Sequence, residues 1–516
     1  MIKTTTLKKF HKWPGLILAF ILIYYSITGI FMNHREFFSS IDVNRKYLPS
    51  QFNYTNWNNS AVKSNLILSN GNNLVYGNIG IWQTDTTFSH FISFNNGFPK
   101  GIDNRKVFDV HQTPNGDLYA ATQFGLFGFN KTSNQWEAFN LDVDIKRFVT
   151  LESKNDTIIA LNRSHVFKGK SDGLKTTFEK IALKTPDGYE QKVSLFETIW
   201  QIHSGEIMGI PGKLFVDLLG LVTIFLSLSG IIYFFFPGWI KNIRAKGNNI
   251  NLISKIYLWS NKWHNKLGEW LFAFLILLFF TGMFLRPPLL IAIANYSVPP
   301  IAFSHLDQPN PWYDKLRDLI YDSEKNQFIL ATSDGIFHLE DFNQQPKLFY
   351  SQPPVSVMGI NSFEKYDTDT YLVGSFSGLF LWNPNFTDVY DLSTGNIYVN
   401  NSSGRPIGDI KVGGVLTDSY GNRYLAEYDK GIQPLFHNKN FPKMPKEILD
   451  NSPMSLWNLS LEIHTGRIFQ FLLKDFYILI VPLSGLVAVI VTLSGYLIFT
   501  NRLNHKRKNK KQVPNG

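Results

Sequence analysis

His11-Lys12-Trp13-Pro14-Gly15 stands near the start of the chain and leads into an apolar run that ends in Thr28-Gly29. His264-Asn265-Lys266-Leu267-Gly268 stands in the middle and leads into an apolar run that ends in Thr281-Gly282. The offsets agree: His to the first Gly is 4 residues in both copies, and His to the second Gly is 18 in both. A second pair repeats as well. Ile202-His203-Ser204-Gly205 is echoed by Ile463-His464-Thr465-Gly466, and each precedes a long apolar run. One of those runs holds Gly220-Leu221-Val222 and Leu228-Ser229-Gly230; the other holds Gly485-Leu486-Val487 and Leu493-Ser494-Gly495. The chain therefore reads as two tandem repeats, each a helix, an insertion and a second helix.

The apolar runs cover roughly residues 14–33, 214–236, 267–285 and 476–499. Each is about long enough to cross the ~30 Å core of a bilayer. At 516 residues the chain is too long for one compact soluble core. Basic residues cluster at Lys3, Lys8, Lys9 and Lys12, at Lys241, Arg244, Lys246, Lys255, Lys262 and Lys266, and at Arg502, Lys506, Arg507, Lys508, Lys510 and Lys511. In a four-span protein these stretches share one side, which the positive-inside rule makes cytoplasmic. Topology thus accounts for much of the +10 net charge, and no nucleic-acid partner is expected. The first run lacks a small-x-small cleavage site before Asn33-His34-Arg35 and reads as a retained anchor. There is no cysteine. Disulfides, iron–sulfur ligation, thiolate catalysis and a covalently attached haem are excluded.

The expected layout is a tail and first span over 1–37, a β-rich outer half over 38–198, a His203 motif and second span over 199–236, and a basic cytoplasmic loop over 237–266. A third span over 267–289, a second β-rich half over 290–458, a His464 motif and fourth span over 459–499 and a basic tail over 500–516 complete it. The outer halves carry a looser repeat of turn, strand, glycine turn, strand. Copies lead to Gly125-Leu126-Phe127, Gly335-Ile336-Phe337, Gly378-Leu379-Phe380 and Gly431-Ile432, with degenerate copies at Asn73–Gly77 and Asp156–Ala160. Their spacing is mostly about 40–50 residues, the period of a β-propeller blade. Three copies per half cannot close a ring, whereas six can. The fold class is therefore a mixed membrane protein: four transmembrane α-helices in two repeats, with all-β, propeller-like extracytoplasmic insertions. Two separate β-sandwich-like domains are the alternative.

Of 12 histidines, five fall at or just beyond the ends of spans: His11, His34, His203, His264 and His464. Any one of them could simply tolerate the headgroup zone. The pattern says more. His11 and His264 are equivalent, at the cytoplasmic ends of the first and third spans; His203 and His464 are equivalent, on the outer side. Repeats related by an axis along the membrane normal would bring each pair together. Two facing imidazoles suit a bis-His b-type haem, one site on each side of the membrane. His34 lies 23 residues after His11, about 35 Å along a helix, and so at the outer level. Its counterpart is Pro287, so it has no symmetry mate and could replace or supplement an outer ligand. From His203 to Gly230 is 27 residues, but from His464 to Gly495 is 31. Four extra residues predict an offset of ~6 Å in the outer pair. Gly230 and Gly495 read as helix-packing residues, and Lys213, Asp217, Lys474 and Asp475 as markers of the membrane boundary.

These motifs resemble the PepSY-associated transmembrane family, also called iron-regulated membrane proteins. The resemblance rests on His11-x3-Gly15 with Thr28-Gly29, the copy at His264, the His203-Ser204-Gly205 and His464-Thr465-Gly466 motifs, and the Leu-Ser-Gly helix ends. It covers the four spans and their flanks. It implies a bacterial inner-membrane protein, often haem-binding, and similarity to reductases that release iron from ferric siderophores. No PepSY domain is discernible in the outer halves. No G-x-G-x-x-G follows a strand, so no flavin or nicotinamide site is expected, and electrons would come from a quinol or a redox protein. Two functions follow. One is a haem b electron carrier, with two bis-His haems and a periplasmic acceptor such as a ferric chelate. The other is a membrane-anchored propeller-like binding or sensing module without enzymatic activity.

Overall fold

The computed structural model describes residues 4–356, 359–399 and 408–511. The chain forms two compact units: a helical unit of residues 1–38, 191–308 and 457–516, and a sheet unit of residues 39–190 and 309–456.

In the helical unit, α1 is Thr4–Asn33, α2 Leu195–Ser204, α3 Gly209–Ala245, α4 Asn251–Trp270, α5 Phe272–Met283, α6 Leu456–His464 and α7 Ile480–Lys511. Among the described residues, three helical stretches are long and apolar enough to cross a bilayer: Thr5–Asn33, Glu206–Ala245 and Arg467–Leu503. The expected third span is not one straight helix. α4 and α5 meet at a break and diverge by 72°, and together they make a fourth candidate span. The composition changes at that break. Lys, Asn and Trp populate α4, whereas α5 is almost wholly apolar (FAFLILLFFTGM), and cationic side chains do not settle in hydrocarbon. The expected loop over 237–266 is likewise mostly helix, because α3 runs on past Pro237 and α4 starts at Asn251. Between its lysines Leu252, Ile256, Trp259 and Trp263 recur at spacings of four, three and four, a helical period that charge alone conceals. Gly220 admits Ile30 of α1 against α3, and its repeat-mate Gly485 admits Met283 of α5 against α7. Small residues give bilayer helices this close approach.

Among the described residues the sheet unit holds six antiparallel sheets of three to five strands: sheet 1 (64–93), sheet 2 (107–138), sheet 3 (148–181), sheet 4 (316–348), sheet 5 (360–397) and sheet 6 (412–435). Each sequence repeat forms the central hairpin of one sheet, for example Leu118–Thr122 with Gly125–Asn130 in sheet 2. The second strand of every sheet is buried on both faces, so successive residues serve opposite neighbours. Leu74 joins sheet 2 while Val75 joins sheet 6. Ile158 joins sheet 2 while Ile159 joins sheet 4. Leu372 joins sheet 6 while Val373 joins sheet 4. Each sheet thus packs on two others, in the order 1-2-3-4-5-6-1. Both outer halves contribute three sheets to this one unit.

Polar links follow the same order. Tyr76 donates to Asp109 (2.9 Å) and Leu151 N–H to Asp109 (2.7 Å). Tyr321 N–H donates to Glu152 (3.0 Å), Tyr371 to Asp322 (2.6 Å) and the Asn361 amide to Val412 O (2.7 Å). Asn65 closes the set, accepting from Thr417 N–H and donating to Thr417 O.

Candidate functional site

Four of the five candidate histidines meet in two pairs within the helical unit. The His11 and His264 ring centroids lie 6.2 Å apart at 85°, and those of His203 and His464 lie 6.2 Å apart at 58°. His11 stands on α1 and His264 on α4. His203 and His464 stand in the last turns of α2 and α6, short helices that end in left-handed Gly205 (φ 79°) and Gly466 (φ 75°). Those glycines turn the chain toward α3 and α7.

The ring nitrogens are differentiated. His11 Nδ1 faces Val491 O at 2.9 Å, His203 Nδ1 faces Leu278 O at 3.0 Å and His464 Nδ1 faces Tyr25 O at 3.1 Å. A carbonyl only accepts, so each Nδ1 carries a proton, and in the neutral ring Nε2 is then the nitrogen with the lone pair. His264 Nδ1 meets Ser229 Oγ at 2.7 Å, and that hydroxyl donates to Leu226 O, which leaves it to accept from Nδ1–H. Three more hydroxyls repeat this device. Ser494 donates to Val491 O and faces His11 Nδ1 at 3.4 Å. Thr281 donates to Leu277 O and faces His203 Nδ1 at 3.3 Å. Thr28 donates to Tyr24 O and faces His464 Nδ1 at 3.1 Å. A bond on Nδ1 fixes both the tautomer and the ring plane of a metal-binding imidazole.

A glycine stands beside each ring. A Cβ on Gly495 would lie 2.7 Å from His11 Cε1, and one on Gly282 2.8 Å from His203 Cε1. The corresponding gaps are 3.3 Å for Gly29 and His464 and 3.9 Å for Gly230 and His264. Gly230 and Gly495, read from sequence as packing residues, therefore also flank candidate ligands. The predicted offset of the outer pair is absent. The extra residues of the second half fall in a single helical turn, Gln470–Leu473, and a 3-10 segment, Lys474–Leu479, before α7 begins, and Lys474 there has φ 47°. The Ser-Gly and Thr-Gly dipeptides repeat visibly, but their partners were missed because each serves a histidine on another helix. Ser494 and His11 are 483 residues apart.

Nitrogens about 2 Å from a shared metal stand about 4 Å apart, which puts their ring centroids about 6 Å apart. Both pairs meet that spacing. His34 has a different partner. Its Nε2 lies 2.8 Å from Asp217 Oδ2, and Asn33 donates to Asp217 Oδ1 at 2.8 Å. Asp217 is thereby an acceptor that ties α1 to α3. Lys213 pairs with Glu206 at 2.8 Å.

A family model described as the PepSY-associated TM region matches residues 8–502. The chain belongs to the PepSY-associated TM family. No curated protein matches it. Among solved structures, this PepSY-associated TM protein is similar to the extracellular domain of BT4673 from B. thetaiotaomicron, with 12% identity, 79% of this chain and 34% of that chain covered, and a TM-score of 0.34. For the extracellular domain of BT3049 from B. thetaiotaomicron the values are 12%, 74%, 43% and 0.31. For PorZ of Porphyromonas gingivalis, a bacterial surface component of the type-IX secretion system, they are 11%, 71%, 44% and 0.21. The chain thus spans less than half the length of each.

Proposed function

We propose that this protein is a b-type haem protein that carries electrons across the membrane. The observation that supports the reading most is the pairing of four imidazoles whose hydrogen bonds all fall on Nδ1. His11 and His264 would hold one haem, and His203 and His464 a second. Haem supplies a one-electron iron couple whose potential responds to its ligands and surroundings. The chain's own residues present Nε2, fix the ring planes through the Ser, Thr and carbonyl acceptors, and keep water away with the apolar helices. Along α1, His11 and the Thr28 that faces His464 are 17 residues apart, so the two levels are separated by about 26 Å. His34, held by Asp217, serves the α1–α3 contact rather than ligation.

α5, the apolar arm of the broken pair, supplies the fourth crossing in this reading, and the basic segments face the cytoplasm of a bacterial inner membrane. The six sheets, packed in cyclic order, form a six-bladed propeller on the periplasmic side. A quinol or a redox protein delivers electrons, and a periplasmic acceptor such as a ferric siderophore takes them. The test is a reduced-minus-oxidised spectrum of the full chain purified after haem-supplemented expression. A low-spin bis-His b-type spectrum is expected. A colourless protein would overturn the reading and favour a membrane-anchored binding module.

A further inference from the structure

We propose that α4 lies in the headgroup layer on the basic face of the bilayer and binds anionic phospholipid headgroups. This does not depend on haem. The 72° break turns α4 away from the line of α5, so the two cannot both run along the membrane normal. One side of α4 is docked: Tyr233 of α3 stacks on Tyr257 at 6.1 Å, and Ser229 meets His264. Leu252, Ile256, Trp259 and Trp270 recur at helical spacing and are 72%, 40%, 57% and 60% exposed. Such a stripe is not left to water.

Lys255, Lys262 and Lys266 border the stripe on one side at spacings of seven and four. Against them α4 carries a single carboxylate, Glu269. The Lys266 ammonium lies over the Trp263 ring at 5.3 Å and the Trp270 ring at 5.4 Å, so cation and aromatic ring share one depth. Lys12 repeats the arrangement beside the inner histidine pair, over Trp13 at 5.7 Å and Phe234 of α3 at 4.6 Å. Trp and Lys coincide at the level where hydrocarbon gives way to headgroups. An amphipathic helix with a cationic border binds there, and phosphate-bearing anionic lipids complement its charge.

The chain lacks cysteine, so single nitroxide labels are clean. The full chain would be placed in nanodiscs of phosphatidylcholine alone or with added phosphatidylglycerol. Labels at Leu252→Cys and Ile256→Cys should be severalfold less accessible to a water-soluble nickel chelate than a label at Tyr350→Cys, whose native side chain is 93% exposed. They should sit at phosphate depth, and more deeply in the anionic discs. Replacing Lys255, Lys262 and Lys266 by Gln should abolish the difference between the two membranes. Each single Lys→Gln variant should remove part of it, which keeps the test open if the triple variant misfolds. Labels as water-accessible as Tyr350→Cys in both discs, as an acidic protein partner would require, would overturn the proposal. So would labels at the bilayer centre, or a lipid response that survives every lysine substitution.

Discussion

The four paired histidines of the helical unit and three histidines of the sheet unit use opposite ring nitrogens. In the sheet unit, His111 engages Ser153 through Nε2 at 2.9 Å, His165 meets Asn310 through Nε2 at 3.3 Å, and His437 donates through Nε2 to Arg423 O at 2.8 Å. There the outer nitrogen is consumed by the fold. In the helical unit, the four paired histidines take their hydrogen bonds on Nδ1, and their rings lie 6.2 Å apart within each pair. The difference separates a histidine that braces a structure from one prepared to bind, and residue type and burial alone do not reveal it. His34 shows the rule within the helical unit, because Asp217 holds its Nε2 and it joins neither pair.

The largest effect should come from removing a paired ring. His264→Ala and His203→Ala should each lower bound haem by about half, read by pyridine haemochrome per protein, and the double variant should be colourless. His111→Ala should leave haem content unchanged. If His264→Ala kept both haems, the nitrogen rule would not identify ligands.

The glycines sharpen the same contrast through space alone. Gly495→Ala and Gly282→Ala push a methyl to within 2.7 and 2.8 Å of an imidazole carbon, so the ring must turn. Haem affinity should drop on the order of tenfold, as it does when a ligand's orientation is disturbed. Gly230→Ala brings its methyl only to 3.9 Å, an ordinary contact, and should change affinity within about twofold. Equal losses in all three variants, measured by haem transfer to an apo-acceptor, would mean that helix packing and not ring placement sets the requirement.

Hydroxyl removal should come next. Ser229 is the 2.7 Å partner of His264 Nδ1, whereas Ser494 stands 3.4 Å from a His11 that also holds Val491 O at 2.9 Å. Ser229→Ala should therefore weaken haem binding by up to about tenfold. Ser494→Ala should do so by less than about threefold, because the carbonyl still takes the proton. A reversed order would break the tautomer assignment.

The pairing was legible because the duplication preserved spacing: 18 residues separate His from the second Gly in both halves. The six sheets were legible because each central strand, buried on both faces, must be apolar over successive positions and end in a glycine turn. The bend before α5 was not. Lys255, Lys262 and Lys266 read as loop charge, although the apolar residues between them keep a helical period. The role of Thr28, Thr281, Ser229 and Ser494 was also hidden. A hydroxyl that donates to its own helix looks satisfied in sequence, and only tertiary structure shows whose proton its lone pair receives.

The smallest effect tests the sheet unit, where buried polarity serves the fold. Burial pushes Glu364 up to about 7, with Asp318 and Asp109 adding to the rise and Arg423 opposing it. Burial likewise raises Glu152 to about 7 and Asp318 to about 6. A carboxyl whose folded value exceeds its unfolded value keeps its proton longer when folded, so stability falls as pH rises from about 4.5 toward about 7. The melting of the sheet unit in the full chain, followed by near-ultraviolet dichroism of its buried tryptophans, should therefore move to lower temperature across that interval. Glu364→Gln stays neutral throughout and should recover about 1 kcal/mol at pH 7.5, once partial solvent screening is allowed for. Glu152 and Asp318 would preserve the remaining slope. Haem content should not respond, since these carboxyls belong to the sheet unit and the paired rings to the helical unit. A Glu364→Gln variant that lost haem while the sheet unit stayed folded would break the division between bracing groups and binding groups.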